Sequence, residues 1–408
     1  TRRFFTLDEG EIAIVEPQGI QVLGLDGTLH QKEVLTVDWD VTQAQKGGYE
    51  HFMLKEIHEQ PDALLRTIRP RIRDGLPCFA HDGLPESFFS RFSRIHFVAC
   101  GTAMHAGLIG KSVAERLARL PVEVDIASEF RYRDPILEPD SLVVIISQSG
   151  ETADSLAALR LARSMGIETL AIVNVAGSSI AREADHVIFT YAGPEISVAS
   201  TKAYSVQIAI LYLMAFELAR QKGTLSDDAI RALVVQLEAA RKSVASVIEH
   251  PESIEAAAAR LTAVEHLFFL GRGSDYALAC EGSLKLKEIS YIHCEAYAAG
   301  ELKHGTISLI TPGVPVIALA TQETLCAKMV SNIKEVKARG AEVLLIAKRG
   351  ECISQDVADT LILLEPLDDL FMPFPTVAAL QLIAYHVARG KGCDIDKPRN
   401  LAKSVTVE

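Results

Sequence analysis

The chain has 408 residues, 53 acidic against 41 basic side chains, a formal net charge of −12, and 49% hydrophobic content. With a mean hydropathy of +0.18, this excludes a disordered or collagen-like chain and provides length for two or three globular domains. The acidic balance, without a long basic run, argues against a nucleic-acid partner, so an anionic substrate has to be held by local devices.

In chain order, Phe4-Phe5-Thr6-Leu7 and the alternating runs at 11–15 and 19–23 predict short strands, separated by Asp8-Glu9-Gly10 and Pro17-Gln18-Gly19 turns. Three such strands cannot close a core alone; residues 1–38 read either as a small β appendage or, the preferred reading, as the last strands of a domain whose bulk lies upstream. An amino-terminal Thr can serve as a nucleophile, but nothing around Thr1 resembles a site. Residues 39–85 are polar and broken by Gly and Pro, with one helical pattern from His51 to Thr67, and read as a linker.

A regular alternation of strands and helices follows. Ile95-His96-Phe97-Val98-Ala99 runs into Cys100-Gly101-Thr102-Ala103, and Leu142-Val143-Val144-Ile145-Ile146 runs into Ser147-Gln148-Ser149-Gly150-Glu151-Thr152. The second half repeats the order. Cys100 corresponds to Gly271, Glu129 to Glu301 and Gly166 to Gly340, at offsets of 171, 172 and 174 residues. A near-constant offset indicates a tandem duplication. The expected fold is α/β: two doubly wound parallel-sheet, flavodoxin-like domains at 86–228 and 258–399, joined by a helix at 229–257 and followed by a tail at 400–408. The most apolar stretch, 203–219, contains Gln207 and Glu217 and reads as a buried helix, so no membrane partner is expected. The seven cysteines are scattered singly, which predicts a reducing cytoplasmic setting with no disulfide framework and no structural metal.

The loop 147–152 is the most specific local signal. Its glycine permits a tight turn, the following helix start offers free N–H groups, and Ser147, Gln148, Ser149 and Thr152 add neutral donors. Without a lysine it is no Walker A loop, and it suits one phosphate monoester. A plain Ser/Thr helix cap is the alternative use of these residues. The matching second-half segment, Thr321-Gln322-Glu323-Thr324, lacks the serines and glycine and reads as a copy that no longer binds. On a helix from about Asp275 to Tyr291, Glu281, Lys285 and Glu288 share one stripe, either as a solvated salt-bridged face or as the wall of a cleft.

The serine loop and Val198-Ala199-Ser200-Thr201-Lys202-Ala203 resemble the sugar isomerase (SIS) domain. Adding Leu284-Lys285-Leu286-Lys287-Glu288-Ile289, Glu301-Leu302-Lys303-His304-Gly305 and the tail Pro398-Arg399-Asn400-Leu401-Ala402-Lys403-Ser404-Val405 extends the resemblance over nearly the whole chain, to the synthase part of the glutamine–fructose-6-phosphate aminotransferase family. That resemblance implies Glu288 as the group moving a proton between C1 and C2 of the open-chain sugar, with Glu281 and Lys285 tuning it. It implies His304, contributed by the neighbouring subunit of a homodimer, in ring opening, and Lys403 as the Schiff-base amine at C2. Thr102, Ser147, Gln148, Ser149, Thr152, Ser200 and the backbone of Val198 and Ala402 would hold the sugar phosphate, with Arg399 closing the tail. Ala103 stands where the family often has Ser.

The implied substrates are fructose 6-phosphate and glutamine-derived ammonia, the product glucosamine 6-phosphate for hexosamine synthesis, and no cofactor is expected. Residues 1–38 resemble the end of the family's glutaminase domain, whose nucleophilic cysteine has no counterpart here. The chain is therefore expected to isomerise fructose 6-phosphate to glucose 6-phosphate without using glutamine. The rival readings are a non-catalytic SIS module that senses a sugar phosphate and a simple aldose–ketose isomerase. The joint presence of Glu288, His304 and Lys403 speaks against the first, and residues 1–38 with the Lys403 tail against the second.

Overall fold

The computed structural model describes residues 3–8, 10–36, 45–350, 352–354 and 356–407. Thr1, Glu408 and the expected boundary at 38/39 lie outside the described residues. The chain divides into two compact units, Thr1–Gln45 and Lys46–Glu408. In the small unit Glu11–Glu16 and Gly19–Gly24 form an antiparallel hairpin extended by Leu29–His30. The strand expected at 4–7 is confined to Arg3–Phe4, which pairs with Leu35–Thr36.

The large unit holds two five-stranded sheets of the same topology. The first runs Val122–Ile126, Arg94–Ala99, Ser141–Ser147, Glu168–Val173, His186–Phe189, with every neighbouring pair parallel. The second runs His293–Ala298, His266–Gly271, Pro315–Ala320, Glu342–Lys348, Thr360–Leu364, again parallel throughout. In chain order within each sheet this is 2-1-3-4-5, the flavodoxin-like winding, and the shared order matches the tandem duplication that the repeat offsets predicted. Ser141–Ser147 is buried at every position, which is why it reads as an unbroken apolar run instead of alternating.

The apolar stretch noted above forms the helix Lys202–Gln221. By length and composition this helix could cross a membrane, yet its apolar window is entirely buried inside the fold. Each fully buried Leu, Ile or Phe in it contributes about 1.5–3 kcal/mol of hydrophobic stabilisation. Close approach to the helix Gly101–Ala118 depends on Gly110, where a Cβ would stand 2.8 Å from Leu211.

Two expectations are revised. The linker at 39–85 carries the helices Phe52–His58 and Gln60–Ile68, which bury Met53, Ile57, Leu64 and Ile68 in the main core. Arg71, wholly buried, pairs with Asp82 and donates to the Phe189 carbonyl at the end of the first sheet. Such a segment belongs to the packed unit; its polar composition hid this because each helix turns only a few apolar side chains inward. Second, Cys326 and Cys352 form a disulfide with their Cα atoms 6.3 Å apart, against the expectation of none. They lie beyond the carboxyl ends of the adjacent strands Pro315–Ala320 and Glu342–Lys348, a proximity that spacing along the chain does not reveal.

Candidate active site

In this winding the first and third strands diverge into loops on opposite sides, leaving a crevice at their carboxyl ends. The loops after Arg94–Ala99 and Ser141–Ser147 open there on a cavity of about 230 Å³. The serine loop is held in shape by its own atoms: the Gly150 N–H donates to Ser147 Oγ (3.0 Å) and the Glu151 N–H to Ser149 Oγ (3.2 Å). Gly150 has φ +69° and a Cβ there would fall 2.1 Å from Ser178 Oγ, so the turn requires glycine. Thr152 precedes the helix Ala153–Ser164 and makes no side-chain cap bond, and its side chain lines the cavity with Ser147, Gln148, Ser149 and Thr102.

The helix Ser274–Ser290 brings its acid–base stripe to the same cavity, so the stripe is a buried wall and not a solvated face. Glu281 is fully buried; it accepts from Thr102 Oγ1 (3.1 Å), pairs with His105 Nδ1 (2.8 Å) and lies 3.7 Å from Lys285 Nζ. Lys285, also buried, contacts Glu288 Oε2 at 2.5 Å. Burial alone would lower the Lys285 ammonium, but the Glu288 and Glu281 carboxylates outweigh it and hold its pKa above the ordinary lysine value. The chain Thr102–Glu281–Lys285–Glu288 thereby fixes the carboxylate that reaches the cavity edge.

The tail closes the other side. Leu401, Ala402, Lys403, Ser404 and Val405 line the cavity; the Ala153 N–H donates to the Val405 carbonyl (3.0 Å), and Ser149 Oγ meets Ser404 Oγ at 3.1 Å. Lys403 Nζ donates to Glu195 Oε2 (2.7 Å) and to the Ser197 carbonyl (2.8 Å). Glu195 is wholly enclosed by its partners; its Oε1 accepts the N–H groups of Thr201 (2.9 Å) and Ala203 (3.0 Å). Burial alone would raise its carboxyl, but the Lys403 charge and these hydrogen bonds prevail and hold it down at about 2. Glu56 lies behind it. Its Oε1 accepts from Ile196 N–H (2.5 Å) and Ser197 N–H (3.2 Å), and its buried Oε2 has no partner. Burial, then the neighbouring Glu195 charge, pushes Glu56 up to about 8.

Of the residues singled out from sequence, Thr102, Ser147, Gln148, Ser149, Thr152, Val198, Ser200, Lys285, Glu288, Ala402 and Lys403 line one cavity, with Glu281 directly behind it. Ala103 lines it as well, in the position where a hydroxyl was looked for. Two stand apart. Arg399 stacks on the Tyr291 ring at 4.1 Å and its N–H donates to the Tyr291 hydroxyl, so it fastens the root of the tail and does not line the cavity. His304 ends the short turn Glu301–His304 and is exposed, outside this chain's own cavity. Glu195 and Glu56 were missed, as was Gln207, whose buried Oε1 is unpartnered and whose side chain lines the cavity. A polar residue inside an apolar helical run was the available signal for Gln207. In the second sheet, Asp275 accepts the Thr321 N–H (2.8 Å) and Asp369 the Glu323 N–H (2.8 Å), so carboxylates of the chain take the donors an anion would use.

Comparison with known proteins agrees with the two-domain fold. The SIS domain model matches residues 88–216 and 260–388. A glutamine–fructose-6-phosphate aminotransferase [isomerizing] of Clostridium acetobutylicum is 49% identical over 409 residues, covering 100% of this chain and 67% of that protein. Its counterpart in Caldanaerobacter subterraneus is 51% identical with the same coverage. Among solved structures, the C-terminal domain of glucosamine-fructose-6-phosphate aminotransferase from Francisella tularensis superposes with a TM-score of 0.84 at 40% identity, covering 86% of this chain and 100% of that one. With two SIS domains and identity near one half along its whole length, the chain belongs to the glutamine–fructose-6-phosphate aminotransferase (isomerizing) family.

Proposed function

We propose that the cavity converts fructose 6-phosphate and ammonia into glucosamine 6-phosphate and water, and that without ammonia it isomerises fructose 6-phosphate to glucose 6-phosphate. One observation carries the reading: a serine-rich helix start, a buried-lysine-paired carboxylate and a tail lysine line the same cavity. The phosphate sits against Ser147, Ser149 and Thr152 at the start of Ala153–Ser164, where helix dipole and N–H donors favour an anion. Lys403 adds to C2 of the open-chain ketose with loss of water. Ammonia then displaces the lysine nitrogen, and Glu288 takes a proton from C1 and returns one to C2. Gln207 and Ser200 offer hydrogen bonds to the sugar hydroxyls.

The chain acts as a homodimer in this proposal, with His304 serving the neighbouring cavity; its exposure outside its own cavity supports that arrangement. The product enters hexosamine synthesis, the supply of UDP-N-acetylglucosamine, in the cytoplasm. A coupled assay for glucose 6-phosphate tests the reading. Turnover of fructose 6-phosphate by the 408-residue chain is expected, and mixing inactive His304→Ala with inactive Lys403→Ala chains is expected to restore part of it. Tight binding with no turnover would favour the sensing module instead. No recovery in the mixture, with mixed dimers demonstrated, would remove the shared histidine.

A further inference from the structure

His96 stands on the strand Arg94–Ala99, away from the cavity, fully buried and with neither ring nitrogen hydrogen-bonded. Leaving a buried polar group unmet is unfavourable, so an idle imidazole asks for a partner. The neighbouring parallel strand Val122–Ile126 sets Glu123 in register with His96, and Asp125 follows two residues on, on the same face of the sheet. Glu123 Oε2 lies 3.7 Å from His96 Nδ1. One ligand atom from each of His96, Glu123 and Asp125 falls within 4.8 Å of the others.

An ion-pair network alone accounts for only part of this cluster. Arg94 holds Glu123 through Oε1 (2.8 Å) and Arg133 holds Asp125 through Oδ2 (2.8 Å), while Glu138 lies 3.9 Å from Arg94. Each arginine hydrogen-bonds one oxygen of its carboxylate, and Oε2 of Glu123, which also lies 4.0 Å from Arg133 Nη2, faces His96 Nδ1 at 3.7 Å. Three carboxylates against two guanidinium groups leave the cluster one charge negative. The pairs explain the carboxylates and leave the imidazole unexplained.

We propose that His96, Glu123 and Asp125 bind one divalent cation of the zinc class, at a site that joins the first sheet's edge strand to its neighbour and takes no part in the sugar chemistry. One imidazole nitrogen with two carboxylate oxygens suits zinc, cobalt or nickel, whereas calcium and magnesium prefer all-oxygen sites. Ligand distances of about 2.0–2.2 Å require only that the side chains of the two strands draw together around the ion. The expectation of no structural metal rested on the cysteines; these ligands are nitrogen and oxygen, brought together by strand register.

Chelator-treated protein titrated with zinc chloride, then freed of loose metal by gel filtration and assayed for zinc per chain, tests the proposal. Wild type is expected to retain one equivalent more than Glu123→Gln or Asp125→Asn, with fructose 6-phosphate turnover unchanged in both variants. Cobalt chloride is expected to give wild type a visible d–d spectrum that both variants lose. His96→Gln should behave alike, but substitution at a buried position risks unfolding, and the two partly exposed carboxylates keep the test independent of it. Equal zinc retention in wild type and the carboxylate variants, or a cobalt spectrum the variants leave intact, would overturn the site.

Discussion

Glu288→Gln is expected to lower conversion of fructose 6-phosphate to glucose 6-phosphate by about 10²–10⁴-fold, the range for losing a positioned acid–base group. Glutamine fills the same space but cannot carry the proton that Glu288 is proposed to move between C1 and C2. Because the serine loop is untouched, the KM for the sugar phosphate should change little, which separates loss of the base from loss of binding. The substitution also takes from the buried Lys285 its nearest counter-charge, at 2.5 Å, while Glu281 remains at 3.7 Å. A parallel Tm measurement therefore belongs with the assay. Near-normal turnover in a folded Glu288→Gln protein would remove Glu288 from the proton-transfer step.

The second large effect is expected at a residue that touches the proposed nucleophile, Lys403. Glu195 holds Lys403 at 2.7 Å and is itself pinned by two backbone N–H groups. With its carboxyl held at about 2, it is an anchor for the amine and not a proton acceptor near neutral pH. Glu195→Gln removes one of the two holds on the amine and leaves it the Ser197 carbonyl, and a displacement of about 1 Å costs about 10²-fold in rate; kcat should fall by that order while KM stays nearly constant. Glu56→Gln gives the complementary readout. A carboxyl ordinarily titrating near 4.5 that is raised to about 8 in the fold binds its proton more tightly folded than unfolded. Stability contributed by that proton is present in full below about 4.5 and is lost as pH rises through about 8. Wild-type Tm should therefore decline across this window, and Glu56→Gln, which keeps the Oε1 acceptor for Ile196 and Ser197, should flatten the decline. An unchanged slope would mean that Glu56 is not the buried acid.

How much of this was written in the sequence depends on how locally each feature is encoded. The serine loop compresses its donors and its glycine into six consecutive residues, and the Glu281–Lys285–Glu288 stripe follows from helical period alone, so both were legible. The duplication was legible because two sheets of identical winding preserve landmark spacing. Glu56 and Glu195 were not legible. The Ile196 N–H, donating to Glu56 Oε1 across 140 positions of the chain, brings them together, and neither sits in a run that suggests chemistry. The helices Phe52–His58 and Gln60–Ile68 were obscured for a related reason: Lys55, Glu56 and Gln60 are polar yet buried, Glu56 and Gln60 bonding to Ile196 and Gln381 far along the chain while Lys55 pairs with Glu59 one helical turn away. The Cys326–Cys352 disulfide likewise depends on which strands lie side by side. Arg399 shows the converse, since its place in the tail suggested the substrate while an aromatic ring nearby holds it elsewhere.

Lys403 is proposed to react with the ketose that the serine loop would hold. Incubation with fructose 6-phosphate, reduction with borohydride and peptide mass spectrometry test it most directly. The account predicts one hexitol phosphate adduct per active site on the peptide bearing Lys403, and none in Lys403→Arg. A turnover-competent protein that yields no adduct, or that carries it on Lys285 or another lysine, would contradict it.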